Sequence, residues 1–195
     1  MNMFKSLFGP SLKESWQELS RQIGGEFESA TFLKSHRVSL PQGNWTIYLD
    51  KVRRGKNRVF TRLLAPVATV HEFRFRVYLE HIFTTIGKKL GMQDVEVGYR
   101  DFDQQFMIKG NDEGMIRAFF RNDKIREMIV ANGRGMLSIE KPFSLGKSFE
   151  YLHYQESGIC RDVPRLKTLF ELMALSLNHL SEIRAIRDTD PRSSY

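Results

Sequence analysis

Apolar residues recur along this chain at two periods. Leu12, Trp16, Leu19 and Ile23 are spaced by four, three and four, the stripe of an amphipathic helix. Ser11 and Glu14 in front of it make a capping-box pattern, because a serine hydroxyl and a carboxylate three residues on satisfy free amides of the first turn. Gly24 and Gly25 end the stripe, since glycine readily takes the left-handed conformation that closes a helix. Beyond them the period falls to two. Trp45, Ile47 and Leu49 alternate with Thr46, Tyr48 and Asp50, and Phe73, Phe75, Val77 and Leu79 alternate with Arg74, Arg76 and Tyr78. Alternation marks a strand with one buried face. Residues 59–64 predict a further strand between these two, joined to the first as a hairpin through Gly55. Ala65-Pro66 is expected to end it, because proline donates no ladder hydrogen bond.

The second half repeats the mixture. Ile82, Phe83, Ile86 and Leu90 predict a helix stopped by Gly91; Val95, Val97 and Tyr99 alternate again, and residues 106–109 read as a short strand. Gly110-Asn111-Asp112 is a turn and cap for a helix carrying Met115, Ile116, Phe119 and Phe120. Asn122-Asp123 caps another, with Ile125, Met128 and Ile129, ended by Gly133 and Gly135. Residues 137–140 and 149–154 predict a second hairpin through Pro142 and Gly146. Asp162 caps a long helix with Val163, Leu166, Phe170, Met173, Leu177 and Leu180 on one side, a face wide enough to cover a sheet. The fold class expected is α+β: an antiparallel sheet, helices packed on one side, and a long C-terminal helix. Residues 1–10 read as an N-terminal extension, 11–188 as a single domain and 189–195 as a loose polar tail. Two halves joined near Gly91 are the alternative.

Composition agrees with a folded chain. The 195 residues are 41% hydrophobic, a length and apolar content that suit one domain with a core. Cys160 is the only cysteine, which excludes an internal disulfide and a four-thiolate zinc site and fits a reducing compartment. The longest run free of Asp, Glu, Lys and Arg is 12 residues, 38–49, whereas a membrane-spanning helix needs about 20 mostly apolar residues. The start has no long apolar stretch and no small-residue cleavage site, so no secretory signal is expected. Met1, Phe4 and Phe8, beside Met3 and Leu7, form one apolar helical face. It is expected to dock on the domain itself, with weak peripheral membrane contact as the alternative.

One stretch carries a resemblance. Phe102-Asp103-Gln104-Gln105-Phe106-Met107-Ile108-Lys109-Gly110-Asn111-Asp112-Glu113, followed by Ile116-Arg117 and Ile125-Arg126, resembles an uncharacterised family of bacterial and archaeal proteins. Gly91-Met92-Gln93-Asp94-Val95-Glu96-Val97-Gly98 and Phe4-Lys5-Ser6-Leu7-Phe8-Gly9 are similar to it as well. The likeness covers most of the chain and implies a prokaryotic, cytoplasmic protein, with no implied activity or cofactor. The same motif has a structural reading, with Phe102, Phe106 and Ile108 as core anchors and Asn111 or Asp112 as a cap.

Motifs that carry chemistry are scarce. No Gly-x-x-x-x-Gly-Lys-Ser/Thr loop, no Gly-x-Gly-x-x-Gly after a strand and no Gly-x-Ser-x-Gly elbow occurs, which removes the commonest nucleotide and hydrolase signatures. None of the five histidines, His36, His71, His81, His153 and His179, stands three or four from another, so the paired-histidine metal pattern is missing. Asp94, Glu96, Asp101 and Asp103, then Asp112 and Glu113, supply the oxygens a hard cation needs, but a solvated acidic edge explains them more simply. Cys160 precedes a helix start beside Arg161, a setting that favours thiolate; the ordinary reading is a small core residue ending a strand. No cofactor is assigned.

Charge is the strongest signal. Lys plus Arg is 30 against 23 Asp plus Glu, a net +7. Residues 51–62 hold six cations, Lys51, Arg53, Arg54, Lys56, Arg58 and Arg62, and no acid. Strand parity sends Arg58, Phe60 and Arg62 to one face and Arg74, Arg76 and Tyr78 likewise. If these strands were neighbours, Arg53, Arg54, Lys56, Arg58, Arg62, Arg74 and Arg76 would make one contiguous anion-binding surface. The leading functional reading is a non-enzymatic binding or assembly module with a basic sheet surface. The alternatives are a non-sequence-specific nucleic-acid or other polyanion-binding protein, and a small-molecule pocket between the sheet and the C-terminal helix.

Overall fold

The computed structural model of the chain describes residues 9–32, 34–55, 57–79, 92–141 and 150–194. The expected helix at residues 82–90, the N-terminal face of residues 1–8, Lys56 and the 142–149 link lie outside them. Helix α1, Leu12–Ile23, starts as its sequence predicts: the Glu14 amide donates to Ser11 Oγ at 3.2 Å and the Ser11 amide to Glu14 Oε2 at 2.9 Å. It closes on Gly24 at φ 70°.

Strands β1 (Glu26–Glu28), β2 (Arg37–Gln42), β3 (Trp45–Arg54) and β4 (Arg58–Val67) follow as an antiparallel meander. Then come β5 (Phe75–Leu79), β6 (Gln93–Asp94), helix α2 (Arg100–Asp103), β7 (Phe106–Gly110), helices α3 (Glu113–Phe120) and α4 (Asp123–Ala131), β8 (Gly135–Glu140) and β9 (Glu150–Ser157). Helix α5, Val163–Glu182, and a 3₁₀ turn, Pro191–Ser194, complete the chain. The nine strands form one sheet in the order β1-β2-β3-β4-β9-β8-β5-β7-β6, and every pairing is antiparallel. The fold is α+β with a long C-terminal helix, as the periodicity predicts. The two halves are not separate units, because the β9–β8 hairpin from the end of the chain sits between β4 and β5.

One face of the sheet is apolar across its centre. Cross-strand register aligns Leu49 with Leu63, Ala65 with Leu152, Leu152 with Ile139, Ile139 with Phe75 and Val77 with Ile108, all essentially buried. The five helices among the described residues pack on this face in one continuous core. Trp16 and Leu19 of α1, Phe102 of α2, Ile116, Phe119 and Phe120 of α3, Ile125 of α4, and Leu166, Phe170, Met173, Leu177 and Leu180 of α5 are all buried in it. Phe75 stands edge-on to Phe120 and tilted against Phe119. The motif residues Phe102 and Phe106 stack at 4.7 Å between ring centres.

Several local expectations change. Strand β4 runs through Pro66 to Val67, because its pairing with β3 ends at Leu64 and only β9 continues beside it; a strand with one open side tolerates the missing donor. The strand around Val95 contracts to Gln93–Asp94, after which Val95 keeps one bond, its amide to Ile108 O at 2.9 Å, and Val97 is buried without a ladder. Asp112 caps α3, accepting from the Met115 amide, whereas Asn111 ties the chain to the turn before β5, accepting from the Arg74 amide and donating to Glu72 O. That turn puts His71 and Glu72 at φ 50° and 54°, a conformation that costs a non-glycine residue energy and needs such anchoring. The tail is not loose. Arg192 is bonded to Asp190 and to the Tyr48 hydroxyl and lies over the Tyr48 ring.

Replacing Phe75 or Leu177 by Ala removes a fully buried side chain and should lower unfolding free energy by about 2–5 kcal/mol, read from urea midpoints at unchanged slope.

Candidate functional site

The basic segment forms a ribbon that outruns its sheet. Strand β3 last pairs with β2 at Arg37↔Asp50, and β4 first pairs with β9 at Phe60↔Ser157. Past these limits the hairpin continues through Arg53↔Val59 and Arg54↔Arg58, closed at Gly55 with φ 64°, and the Gly158 amide still donates to Val59 O at 2.8 Å. At about 3.3 Å per residue the ribbon projects roughly 10 Å. Parity places Lys51 and Arg53 on the helix side and Arg54 and Arg58 on the other. Arg53, Arg54 and Arg58 are exposed and Lys51 is half-buried. None of the four has a carboxylate partner among the described residues. Arg54 lies over the Phe60 ring at 5.9 Å. The positive field extends to the ribbon's base, where burial, then Lys51 and Lys13, hold the His36 imidazole below its ordinary pKa.

The other predicted arginines are engaged. Arg62 grips Asp50 across the strand pair with two bonds, Nε to Oδ1 at 2.8 Å and Nη2 to Oδ2 at 2.7 Å. Arg76 bonds Glu140 Oε2 through Nε at 2.9 Å and Nη2 at 2.5 Å. Arg74 stands 3.7 Å from Glu72 and 3.8 Å from Glu150. The assumed adjacency also fails. Strands β9 and β8 separate β4 from β5, so Arg62 and Arg76 are three strand spacings, roughly 14 Å, apart. The expected single positive surface of Arg53, Arg54, Arg58, Arg62, Arg74 and Arg76 therefore reduces to the ribbon. Lys56 lies outside the described residues.

Between Arg62 and Arg76 runs a buried polar strip that sequence reasoning missed. Ser138 faces His153 and Arg62 faces Gln155 on the side of the sheet away from the helices. Ser138 is fully buried, Gln155 is 2% and His153 7% exposed. Ser138 Oγ and Gln155 Oε1 make no hydrogen bond, and His153 Nδ1 stands 3.6 Å from Glu140 Oε1. Burial pulls the His153 pKa down, outweighing the pull of Glu140. Burial would raise Glu140, but the His153 contact and the Arg76 charge bring it to about 2.

On the helix side the interface between α5 and the sheet is filled by core side chains, so the expected pocket there is replaced by clefts on either flank of α4. One, of about 530 Å³, opens between α4 and the start of α5 and includes Lys124, Asn132, Arg134, Asp162 and Arg165. Arg165 reaches its floor, bonding Glu156 Oε2 at 2.5 Å and the Tyr154 hydroxyl at 3.3 Å. Burial and the neighbouring Glu156 push the Tyr154 phenol well above its ordinary pKa. Gly135 is required beside it, since a Cβ there would run into the Tyr154 ring. The other cleft, of about 770 Å³, includes Tyr99, Phe102, Arg126 and Val130, with Arg126 stacked 3.5 Å over the Tyr99 ring.

The remaining candidates have local duties. Asp103 accepts from the Val97 and Gly98 amides and Asp94 pairs with Lys109 at 2.8 Å, so these two acids face different partners. Burial raises the Cys160 thiol pKa, against the thiolate expectation. Its backbone instead anchors the β9–α5 link, the amide donating to Thr61 Oγ1 at 2.7 Å and the carbonyl accepting from Trp16 Nε1 at 3.1 Å. No helix among the described residues is long and apolar enough to cross a membrane.

No protein-family profile and no curated protein sequence matches the chain. Its fold is similar to the crystal structure of the mycobacterial trehalose monomycolate transport factor A, with a TM-score of 0.55, 8% identity, and coverage of 92% of this chain and 97% of that one. At that identity the likeness is one of fold.

The buried imidazole has a signed consequence. A folded pKa below the unfolded value near 6.5 means that the unfolded chain takes up the proton first. Stability should therefore be full above that value and fall as pH drops below it, with a slope approaching about 1.4 kcal/mol per pH unit. Denaturant melts at pH 7 and pH 5 should show the loss, and His153→Gln should flatten it.

Proposed function

We propose that this chain is a non-enzymatic binding module whose β3–β4 ribbon docks on an anionic partner. The observation that carries this reading is the contrast among the arginines. Arg62, Arg74 and Arg76 face carboxylates, while Arg53, Arg54 and Arg58 project past the sheet edge with none among the described residues. Arg54 and Arg58 are directly opposed, an arrangement that like-charge repulsion disfavours. An anionic partner relieves that repulsion. The structural neighbour is a transport factor, and a binding role agrees with that.

Heparin chromatography tests the reading. The triple variant R53Q/R54Q/R58Q should elute at clearly lower salt than the parent with an unchanged melting temperature, since exposed charges contribute under about 1 kcal/mol each to stability. Arg62→Gln should behave oppositely, retaining heparin binding while losing stability, because it strands Asp50 in a site where that residue is 7% exposed. Equal retention of the triple variant and the parent removes the reading.

A further inference from the structure

We propose that the anionic partner is duplex DNA, with the β3–β4 ribbon entering the major groove and gripping phosphates on both walls. This rests on the anionic-partner reading above and narrows it. Four observations favour a groove over a flat surface or a single strand.

The first is shape. The projecting part is two strands wide and roughly 10 Å long, and the major groove of B-form DNA is about 12 Å wide and about 8.5 Å deep and admits a two-stranded ribbon. The sheet at the ribbon's base, where β2 and β9 join, sets a natural stop. The second is the distribution of charge. On the projecting part Arg53 lies on one face and Arg54 and Arg58 on the other, so both walls of a groove would meet a cation. A flat anionic surface lying against one face would leave those of the other unused. The third is the tip itself. Gly55 and Asn57 bound it, and neither has an apolar side chain to enter a lipid acyl layer, where membrane-surface elements place Trp, Phe or Leu. The fourth is Phe60. It is half-buried with Arg54 over one face of its ring, a poorer platform than the open aromatic faces on which single-strand binders stack bases. Guanidinium groups suit the task, since their planar forks match phosphate oxygens.

Fluorescence anisotropy of the full chain against a labelled duplex of about 20 base pairs, a single strand of the same length, and anionic phosphatidylglycerol vesicles separates the outcomes. The duplex should bind at least about tenfold tighter than the single strand or the vesicles, as expected when both groove walls are contacted. Three phosphate contacts predict a slope of log affinity against log salt of about −2.7. The one-face variants R53Q and R54Q/R58Q should reduce that slope to about −1.8 and about −0.9, with circular dichroism melts like the parent's. Equal binding to duplex, single strand and vesicles overturns the groove while leaving the anionic-partner reading in place. So does a salt slope that only one of the two variants changes. Absence of binding to all three probes overturns both.

Discussion

Burial of the sheet's outer face at its centre governs where charge can be used in this protein. Strands β9 and β8 are inserted between β4 and β5, so the polar positions of four central strands crowd together where water is scarce. A charge in such a place needs a hydrogen-bonded counter-charge, because desolvation without one costs several kcal/mol. Asp50 answers Arg62, Glu140 answers Arg76, and Glu150 stands beside Arg74. The same setting keeps His153 below its ordinary pKa.

That constraint ends where the neighbouring strands end. Past the last flanking strands Arg53, Arg54 and Arg58 are exposed, and solvated cations need no protein partner. Residues 51–62 contribute six cations to a net +7, and only Arg62 among the described ones is neutralised by an ion pair. The net charge is thus concentrated on a projecting element rather than spread over the sheet. Long-range attraction of a polyanion follows from that concentration, and so does the steep salt dependence expected of it.

Much of the fold is legible in local pattern. Period two identifies β3 and β5, the turn residues between short runs identify β4 and β8, period 3.6 identifies α1, α3, α4 and α5, and Ser11, Asp112, Asn122 and Asp162 cap helices as their chemistry predicts. Strand order is a different matter. Parity says that Arg62 and Arg76 share a face, but nothing near either residue says that a hairpin from residues 135–157 will stand between them. The carboxylates that neutralise the arginines come from that hairpin and from β3, at sequence separations of 64 for Arg76–Glu140 and 12 for Arg62–Asp50. Only the second lies within the range of a local pattern: Asp50 is the polar position that closes the β3 alternation, opposite Arg62 in the hairpin. Pro66 misled for a related reason, since its tolerance depends on β3 ending its pairing early. The clefts beside α4 were illegible because they arise from how α4 meets α5 and α2, not from any motif.

The division of arginines into free and engaged groups can be observed directly by NMR of their Nε–Hε signals during titration with a heparin oligosaccharide. Arg53, Arg54 and Arg58 should shift together and saturate at one affinity. Arg62 and Arg76, whose Nε protons are held by Asp50 and Glu140, should stay in place. Shifts of Arg62 and Arg76 with the ribbon arginines unmoved would contradict this assignment of the binding surface.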